Sequence, residues 1–262
     1  MVDQFLDVER LQRFPRESFT GARPFPWYSF EQLIRRERFE ELCREFPPLE
    51  LFEFHQDLPR TAGQRPHNRY YLAYEESIYT RLDHSQSGIA RDAQLPKAWR
   101  DFIHELEQSP EYRRFIQRLF GADGLEIRYA WHVGVTNSEV SPHRDAGRKL
   151  GTHIFYFNTS EDWDSAWGGS TLVLHGKRVA ADNPDFSDFE QVEATPFLDN
   201  RSFLFQNTQD AWHGVQALTC PEDRYRRLFN VIFEAPRPQS RSLGGLLART
   251  VRGLASLARP RG

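Results

Sequence analysis

The sequence contains little cysteine and almost no methionine, with 2 Cys and 1 Met among 262 residues. Cys43 and Cys220 stand far apart, so neither a disulfide framework nor a cysteine-rich metal site is expected. This usage predicts a reducing, cytoplasmic compartment. The N-terminus has no basic start followed by an apolar run, so no signal peptide is expected. No apolar run approaches the roughly 18 residues typical of a membrane span.

The chain also lacks a strong net charge, but its charges are unevenly distributed. It carries 34 basic and 37 acidic residues, and six of the basic ones are arginines after residue 236, where no acid occurs. The rest of the chain therefore has an excess of nine acidic residues. Because an acidic body does not neutralise phosphates, we expect no nucleic-acid partner.

The hydrophobic content of 39% suffices for one well-buried domain, and three helices are predicted in its first half. Ser29 and Gln32 have the spacing of a capping box, which predicts a helix from there to Pro47. Pro96 favours the start of a second helix that carries Trp99 and Leu106 on its inner face. The pair Ser109-Pro110 predicts a third helix that ends at Gly121.

From Leu125 onward the hydrophobic period changes to two, which is typical of strands. Earlier, Leu49 to His55 alternates apolar and polar residues as a strand does, and Tyr70 to Tyr74 is interpreted as a returning strand. The predicted later strands are Leu125–Val133, His153–Phe157, Ser170–Leu174, Ser202–Gln206 and Arg226–Phe233. Helices followed by strands predict a mainly β fold, a barrel or sandwich buttressed by helices. We divide the chain into a helical and mixed buttress of the same domain (1–124), a β core (125–236) and a basic tail (237–262).

One polar stretch interrupts the apolar pattern of the β core. His143 and Asp145 are one residue apart, so in an extended strand both side chains project to the same face. His213 follows seventy residues later, after another apolar strand. Two histidines and one carboxylate form the facial triad that suits non-haem Fe(II), with open positions for further ligands. In contrast, we interpret His153 and His175 as structural residues.

The order of these parts resembles the 2-oxoglutarate and Fe(II)-dependent dioxygenases, in particular their prolyl-hydroxylase-like branch. The resemblance covers about residues 125–234, and the segment PFPWYSFEQLI adds a weaker likeness. The family folds as a double-stranded β-helix, a jelly roll, which implies that the 125–236 core is catalytic. The matching pieces are His143-Arg144-Asp145, Tyr156-Phe157-Asn158, Asp162-Trp163-Asp164, Gly168-Gly169, Asp199-Asn200-Arg201, His213-Gly214-Val215-Gln216, and Arg226 with Asn230.

The resemblance implies that His143, Asp145 and His213 are catalytic iron ligands. It also implies 2-oxoglutarate as co-substrate and O2 as oxidant, with ascorbate as a further candidate reductant.

The far carboxylate of 2-oxoglutarate needs a buried cation, which the resemblance assigns to an arginine in the last strand. Arg224, Arg226 and Arg227 all have suitable spacing. Strand parity favours Arg226, which shares a face with Asn230, and leaves Arg227 as its rival. Tyr156 and Asn230 are implied as further contacts of the same co-substrate. The family often has a tyrosine on the first core strand where this chain has His132, and the role of His132 stays open.

The implied activity is hydroxylation of an unactivated C–H bond in a small molecule or a peptidyl side chain. Asp145 is a carboxylate, whereas the halogenating relatives open that position for chloride. Two alternatives remain at this point. One is an iron oxygenase that does not use 2-oxoglutarate, and the other is a non-catalytic jelly roll that binds a ligand or a protein.

Two basic segments have competing interpretations. Arg65, His67 and Arg69 form either a solvated turn, which we favour, or a loop that grips the substrate over an active site. In the 237–262 tail the apolar spacing permits an amphipathic helix, which would contact an anionic membrane peripherally or bind a partner. Its glycines weaken such a helix by about 1 kcal/mol each, so we favour a loose or domain-packed tail.

Overall fold

The computed structural model describes residues 4–58, 65–77 and 87–236. Its α-helices are α1 (Val8–Arg13), α2 (Arg16–Thr20), α3 (Arg36–Arg44), α4 (Lys97–Gln108) and α5 (Pro110–Phe120). Its strands are β1 (Trp27–Glu31), β2 (Glu53–His55), β3 (Arg69–Tyr74), β4 (Ile89–Ala90), β5 (Glu126–Gly134), β6 (Val140–His143), β7 (Lys149–Tyr156), β8 (Leu172–Lys177), β9 (Phe189–Ala194), β10 (Arg201–Gln206), β11 (His213–Val215) and β12 (Arg226–Glu234).

The strands form two sheets. The larger sheet has the order β1-β10-β7-β12-β5-β3-β2, and β4 pairs with β3 in parallel. The smaller sheet has the order β6-β11-β8-β9, and every pairing other than that of β4 is antiparallel. The strands that precede residue 125 extend both edges of the larger sheet.

One face of the larger sheet packs against the helices. Because side chains alternate along a strand, Trp131 of β5 and Phe229 of β12 both project to this side. The ring of Trp99 on α4 lies 5.4 Å from that of Trp131 and 5.2 Å from that of Phe229. All three side chains are fully buried in one aromatic cluster, which is the main core of the protein.

The other face of the larger sheet packs against the smaller sheet. Phe205 and Leu228 from the larger sheet share a buried cluster with Val173 and Val215 from the smaller one. This arrangement confirms the predicted fold class, a mainly β jelly roll of the double-stranded β-helix type buttressed by helices. The two sheets leave a cavity between them, described below.

Of the three helices predicted before residue 125, the last two, α4 and α5, begin where expected, and α5 also ends where expected. The Ser109 hydroxyl accepts a hydrogen bond from the Tyr112 amide at 3.1 Å, and Pro110 opens α5. Gly121 ends the helix with φ 64°, a left-handed conformation that glycine adopts without strain. The ends of these helices were predictable because the capping residues contact only their neighbours in the sequence.

The helix predicted from Ser29 is wrong at its start. Residues Trp27–Glu31 form β1, which pairs with β10 through five register positions, and the helix begins only at Arg36. The ring of Trp27 packs 5.7 Å from that of Phe203 across this pair. Pairing with the distant strand β10 outweighs the local capping pattern. This pairing is not evident from the sequence alone.

Several short elements were not predicted from the sequence: α1, α2, β1, β6, β9 and β11. Strands β6 and β11 contain 4 and 3 residues, too few to show a clear period. The predictions for the 237–262 tail fall outside the described residues, and the regional division at 124 and 236 stays a prediction. Within the described part of the chain, no helix is long and apolar enough to cross a membrane.

Candidate metal centre and its cavity

The two candidate histidine ligands lie opposite each other on the smaller sheet. His143 on β6 and His213 on β11 are register partners, and their ring centroids are 4.4 Å apart. Asp145 lies two residues after the end of β6, and one ligand atom from each of the three residues lies within 4.8 Å of the others. The structure therefore brings together three residues that the sequence separates by up to seventy positions, in an arrangement that could hold a metal ion.

Both rings are oriented by backbone carbonyls. Nδ1 of His143 bonds the Ser141 carbonyl oxygen at 2.9 Å, and Nδ1 of His213 bonds the Ala211 carbonyl oxygen at 2.9 Å. A carbonyl oxygen only accepts, so Nδ1 carries the hydrogen in each neutral ring. The lone pair therefore lies on Nε2 of each ring, as a metal ligand requires.

Asp145 is held in its ionised form. Lys149 Nζ lies 3.0 Å from Asp145 Oδ1, and the Thr152 hydroxyl lies 3.4 Å from Oδ2. Burial alone would raise the pKa of this carboxyl, but the charge of Lys149 and its hydrogen bond, with the neighbouring His213 and His143, hold the pKa well below its usual range. A carboxylate at neutral pH completes the ligand set.

Gly214 allows the two histidine strands to approach. A Cβ at this position would lie 2.7 Å from the Val140 carbonyl oxygen and 2.9 Å from the Phe186 ring. These distances are too short for a side chain. The close packing of β6 and β11 therefore requires glycine at the position after His213.

A cavity of about 120 Å³ opens beside the three residues, between the two sheets. Arg226 lies on its wall and is buried, and burial lowers the pKa of its guanidinium to about 10, which leaves it charged at neutral pH. Its Nε donates to the Gly169 carbonyl oxygen at 2.6 Å, while its Nη2 has no hydrogen-bond partner among the described residues. Gly169 has φ 108°, a conformation that favours glycine and that orients this carbonyl.

The two other candidate arginines lie elsewhere. Arg227 projects to the opposite face of β12 and bonds the Asp162 carboxylate. Arg224 is exposed beside Asp223. The strand-parity argument therefore selected Arg226, which is the one of these three arginines that lines the cavity.

Tyr156 lies next to Arg226 and not on the cavity wall. Its hydroxyl bonds that of Thr171 at 2.7 Å, and its ring lies 5.5 Å from the Arg226 guanidinium carbon. Thr171 itself lines the cavity. Tyr156 thus packs against Arg226, and its hydroxyl fixes the position of the Thr171 hydroxyl beside Arg226.

Asn230 and His132 form a polar pair on the cavity wall. Asn230 Nδ2 lies 3.0 Å from His132 Nδ1, which makes Nδ1 the acceptor and places the ring hydrogen on Nε2. His132 Nε2 and Asn230 Oδ1 are buried without hydrogen-bond partners in the part of the chain that is described. Burial, followed by the charges of Arg69 and Lys149, holds the pKa of His132 well below its ordinary value. The pair thus offers one neutral donor and one acceptor to a ligand.

The favoured interpretation of the basic loop, a solvated turn, is wrong for two of its three residues. His67 is buried, with its ring 5.4 Å from that of His143, and Arg69 lines the cavity. Arg65 is exposed and bonds Glu139 and Asp185. The i, i+2 spacing of His67 and Arg69 beside the Tyr70–Tyr74 strand was the signal that could have identified their common face. Lys149 and Thr152 were also missed.

Residues 125–233 match a protein-family model. The match is to the 2OG-Fe(II) oxygenase superfamily. It covers the strands that carry His143, Asp145, His213 and Arg226, and it confirms the resemblance and the iron and 2-oxoglutarate prediction at the level of the family. No curated protein sequence matches the chain significantly.

Solved structures of 2OG-Fe(II) oxygenases share the fold. A Pseudomonas putida prolyl-4-hydroxylase aligns with TM-score 0.53 at 12% identity, over 87% of this chain and 100% of that one. A Trichoplax adhaerens prolyl hydroxylase, solved with a hypoxia inducible factor peptide fragment, gives 0.56 at 13% identity, over 87% and 90%. SnoK, a non-heme alpha-ketoglutarate-dependent carbocyclase from nogalamycin biosynthesis, gives 0.55 at 15% identity, over 91% and 92%. At these identities the likeness establishes the fold and leaves the reaction open.

Proposed function

We propose that this protein is an Fe(II)- and 2-oxoglutarate-dependent oxygenase that hydroxylates an unactivated C–H bond of a small molecule or a peptidyl side chain. The observation that carries the proposal is the convergence of His143, Asp145 and His213. Their protonation states, fixed by Ser141, Ala211 and Lys149, are those that a metal ion requires.

The residues fit both groups. Two imidazoles and one carboxylate suit Fe(II) and leave positions for other ligands. The buried Arg226 has a guanidinium nitrogen without a hydrogen-bond partner in the described structure, beside the Thr171 hydroxyl. A carboxylate would satisfy that nitrogen with a charge-assisted hydrogen bond. When bound, iron and 2-oxoglutarate would together supply the activation of O2.

The protein contributes orientation and exclusion of water. His143, Asp145 and His213 would hold the iron, and Arg226 would bind the far carboxylate of the co-substrate. Tyr156 would keep Arg226 in place by packing against its guanidinium, while Asn230 would present Oδ1, together with His132 Nε2, to the co-substrate or the substrate. Ile154, Phe205, Val215 and Leu228 line the same cavity and keep it apolar between these polar groups.

The family match supports an oxidoreductase, and hydroxylation is the finer part of the proposal. Asp145 occupies the position that the halogenating relatives leave open, which favours hydroxylation over halogenation. A carbocyclase and an epimerase share the fold at low identity, so the reaction outcome must be measured on product. The assembled triad disfavours a non-catalytic binding module, and Arg226 disfavours an iron oxygenase without 2-oxoglutarate.

The experiment measures iron content and 2-oxoglutarate consumption of purified protein. We expect one Fe(II) per chain, and loss of both iron and turnover in His143→Ala, Asp145→Ala and His213→Ala. His175→Ala is the matched control, because this histidine is exposed on β8 and, among the described residues, its hydrogen-bond partner is Gln191. Retention of iron and turnover in any two of the triad variants would refute the assignment.

A further inference from the structure

The three candidate metal ligands differ in how the backbone holds them. His143 and His213 lie on paired strands, β6 and β11. Asp145 lies in the turn between β6 and β7, where residues 146–148 are exposed. Exposed turns are more mobile than paired strands, because few contacts define the position of their backbone. The position of Asp145 therefore depends on the contacts that its turn makes with other segments.

The side chain of Asn207, directly after β10, contacts this turn at three points. Its Nδ2 lies 2.8 Å from the carbonyl oxygen of Lys149 and 3.2 Å from those of Asp145 and Ala146. Carbonyl oxygens only accept hydrogen bonds, so the amide nitrogen and not the amide oxygen must face them. The Asn207 backbone amide also donates to the Leu150 carbonyl oxygen at 2.9 Å. We call the contacts of Nδ2 with the three carbonyls the amide clamp.

Asn207 also begins the segment that leads to His213. Residues 207–212 connect β10 to β11, and Ala211 of this segment accepts the Nδ1 hydrogen of His213. The amide clamp therefore fixes the backbone of Asp145 relative to the segment that orients one of the two histidine rings.

The other side-chain contacts of the turn are local, long or exposed. Lys149 Nζ bonds the Asp145 carboxylate, but Lys149 stands at the end of the same turn. Thr152 reaches the carboxylate only at 3.4 Å. Arg144 donates to the Gln209 carbonyl oxygen at 3.1 Å, and both residues are exposed, so water competes for this bond. The amide clamp, which starts from a half-buried residue, is the main side-chain tie of the turn.

We infer that Asn207 is a positioning residue of the metal centre, whose side-chain amide raises the affinity for Fe(II) by holding Asp145 opposite the two histidines. The inference rests on the proposed function, because it takes His143, Asp145 and His213 as the metal ligands. Asn207 acts through the backbone of Asp145. Replacing a residue that orients a metal ligand typically costs about 10- to 100-fold in metal affinity.

The test titrates Fe(II) without O2 into the metal-free, full-length protein and compares it with two variants. Asn207→Leu keeps nearly the same shape but has no donor, and should weaken Fe(II) binding by about tenfold or more. Asn207→Gln keeps an amide donor on a longer side chain, so it should lose less affinity than Asn207→Leu. Asn207→Ala takes the place of Asn207→Leu if the latter does not fold.

A second readout uses Co(II) as a probe of the ligand geometry. The visible absorption of bound Co(II) depends on the number and arrangement of its ligands. At saturating Co(II), Asn207→Leu should give a spectrum different from that of the unaltered protein, because Asp145 no longer lies in its place. A role of Asn207 in folding alone would lower the melting temperature and leave this spectrum unchanged.

Asn158→Leu is the matched control. Asn158 is buried, its Nδ2 donates to the Tyr225 carbonyl oxygen at 2.9 Å, and its Oδ1 accepts from the Arg227 amide at 2.7 Å. These bonds join the end of β7 to the start of β12, and none of the three residues lines the cavity. The control should lower the melting temperature, but it should keep the Fe(II) affinity and the Co(II) spectrum of the unaltered protein.

Three results would overturn the inference. Asn207→Leu could retain the Fe(II) affinity or the Co(II) spectrum of the unaltered protein. Asn207→Gln could lose as much affinity as Asn207→Leu, which would exclude the hydrogen bonds as the cause. Asn158→Leu could weaken Fe(II) binding to the same extent, which would make the effect a general loss of stability. Failure of the proposed function would differ from all three, because the unaltered protein would then bind neither Fe(II) nor Co(II).

Discussion

Strand β12 presents different chemistry on its two faces. Phe229, Val231 and Phe233 project toward the helices and are buried in the aromatic core. Arg226, Leu228, Asn230 and Ile232 alternate with them and line the cavity. Alternate residues of β12 therefore have different roles. Those on the helix side stabilise the fold, and those on the cavity side are suited to binding.

His153 and His132, the two buried histidines of the larger sheet, differ in the same way. The difference lies in the hydrogen bonds of their ring nitrogens. His153 on the helix side bonds the Tyr112 hydroxyl at 2.9 Å through Nδ1 and the Ser202 hydroxyl at 3.0 Å through Nε2. His132 on the cavity side bonds Asn230 through Nδ1, and its Nε2 has no hydrogen-bond partner in the described structure. A satisfied ring is typical of a structural residue, as the sequence analysis expected for His153, while a buried donor on a cavity wall that the described protein groups leave unbonded is suited to binding a ligand.

The largest effect on stability should come from the core side of β12. Phe229→Ala removes a fully buried ring that packs on Trp99 and Trp131, and should lower the free energy of unfolding by about 3–5 kcal/mol. Asn230→Ala, one residue along, loses one hydrogen bond and should cost about 1 kcal/mol. Urea unfolding of both variants measures the difference, and equal losses would contradict the division between the faces.

The largest effect on function should come from the cavity side. Arg226→Ala removes the buried cation that would bind the co-substrate, a loss on the order of 2–5 kcal/mol, so the KM for 2-oxoglutarate should rise more than tenfold. Arg227→Ala breaks the pair with Asp162 and the contact with the Phe46 ring on the face away from the cavity, so it should cost stability and leave the KM for 2-oxoglutarate unchanged. Steady-state turnover at varied 2-oxoglutarate compares the two. A large rise in KM for Arg227→Ala with none for Arg226→Ala would reverse the assignment.

A smaller and pH-dependent effect should come from His153. Burial lowers the pKa of His153 to about 3, whereas an unfolded histidine has a pKa of about 6.5. Below pH 6.5 the unfolded chain binds a proton that the folded protein does not, so this residue makes stability fall as the pH falls toward 3. The slope is at most about 1.4 kcal/mol per pH unit.

The measurement compares urea unfolding of the unaltered protein and His153→Gln between about pH 7 and pH 4. Glutamine does not titrate, so the variant should lose less stability on acidification than the unaltered protein. Parallel profiles would show that His153 is not protonated on unfolding in this range.

The parts of the site that lie within one sequence motif were predictable, and those that depend on distant contacts were not. The common face of His143 and Asp145 and the parity that selects Arg226 follow from spacing along single strands, whereas His213 as third ligand and the need for an arginine in the last strand were implied by the resemblance to the family. Arg69 and His67 were taken for a solvated turn because their burial depends on contacts with β5 and β6, more than sixty residues away. The strand at Trp27–Glu31 was missed for the same reason, since its partner β10 lies some 170 residues later in the chain. Local patterns report the face on which a side chain lies, and long-range pairing decides what covers that face.

The shortness of β6 and β11 has a consequence for how long a metal ion remains bound. The two strands meet at only two register pairs, His213 with His143 and Val215 with Val140, and the pairing is irregular between them. A metal ion held by both histidines would crosslink this short ladder, and the ladder must separate before either histidine can move away from the ion. Local opening of such short pairings requires far less free energy than global unfolding. The dissociation rate of the metal would then follow the opening of these few residues, so iron could exchange while the aromatic core stays intact.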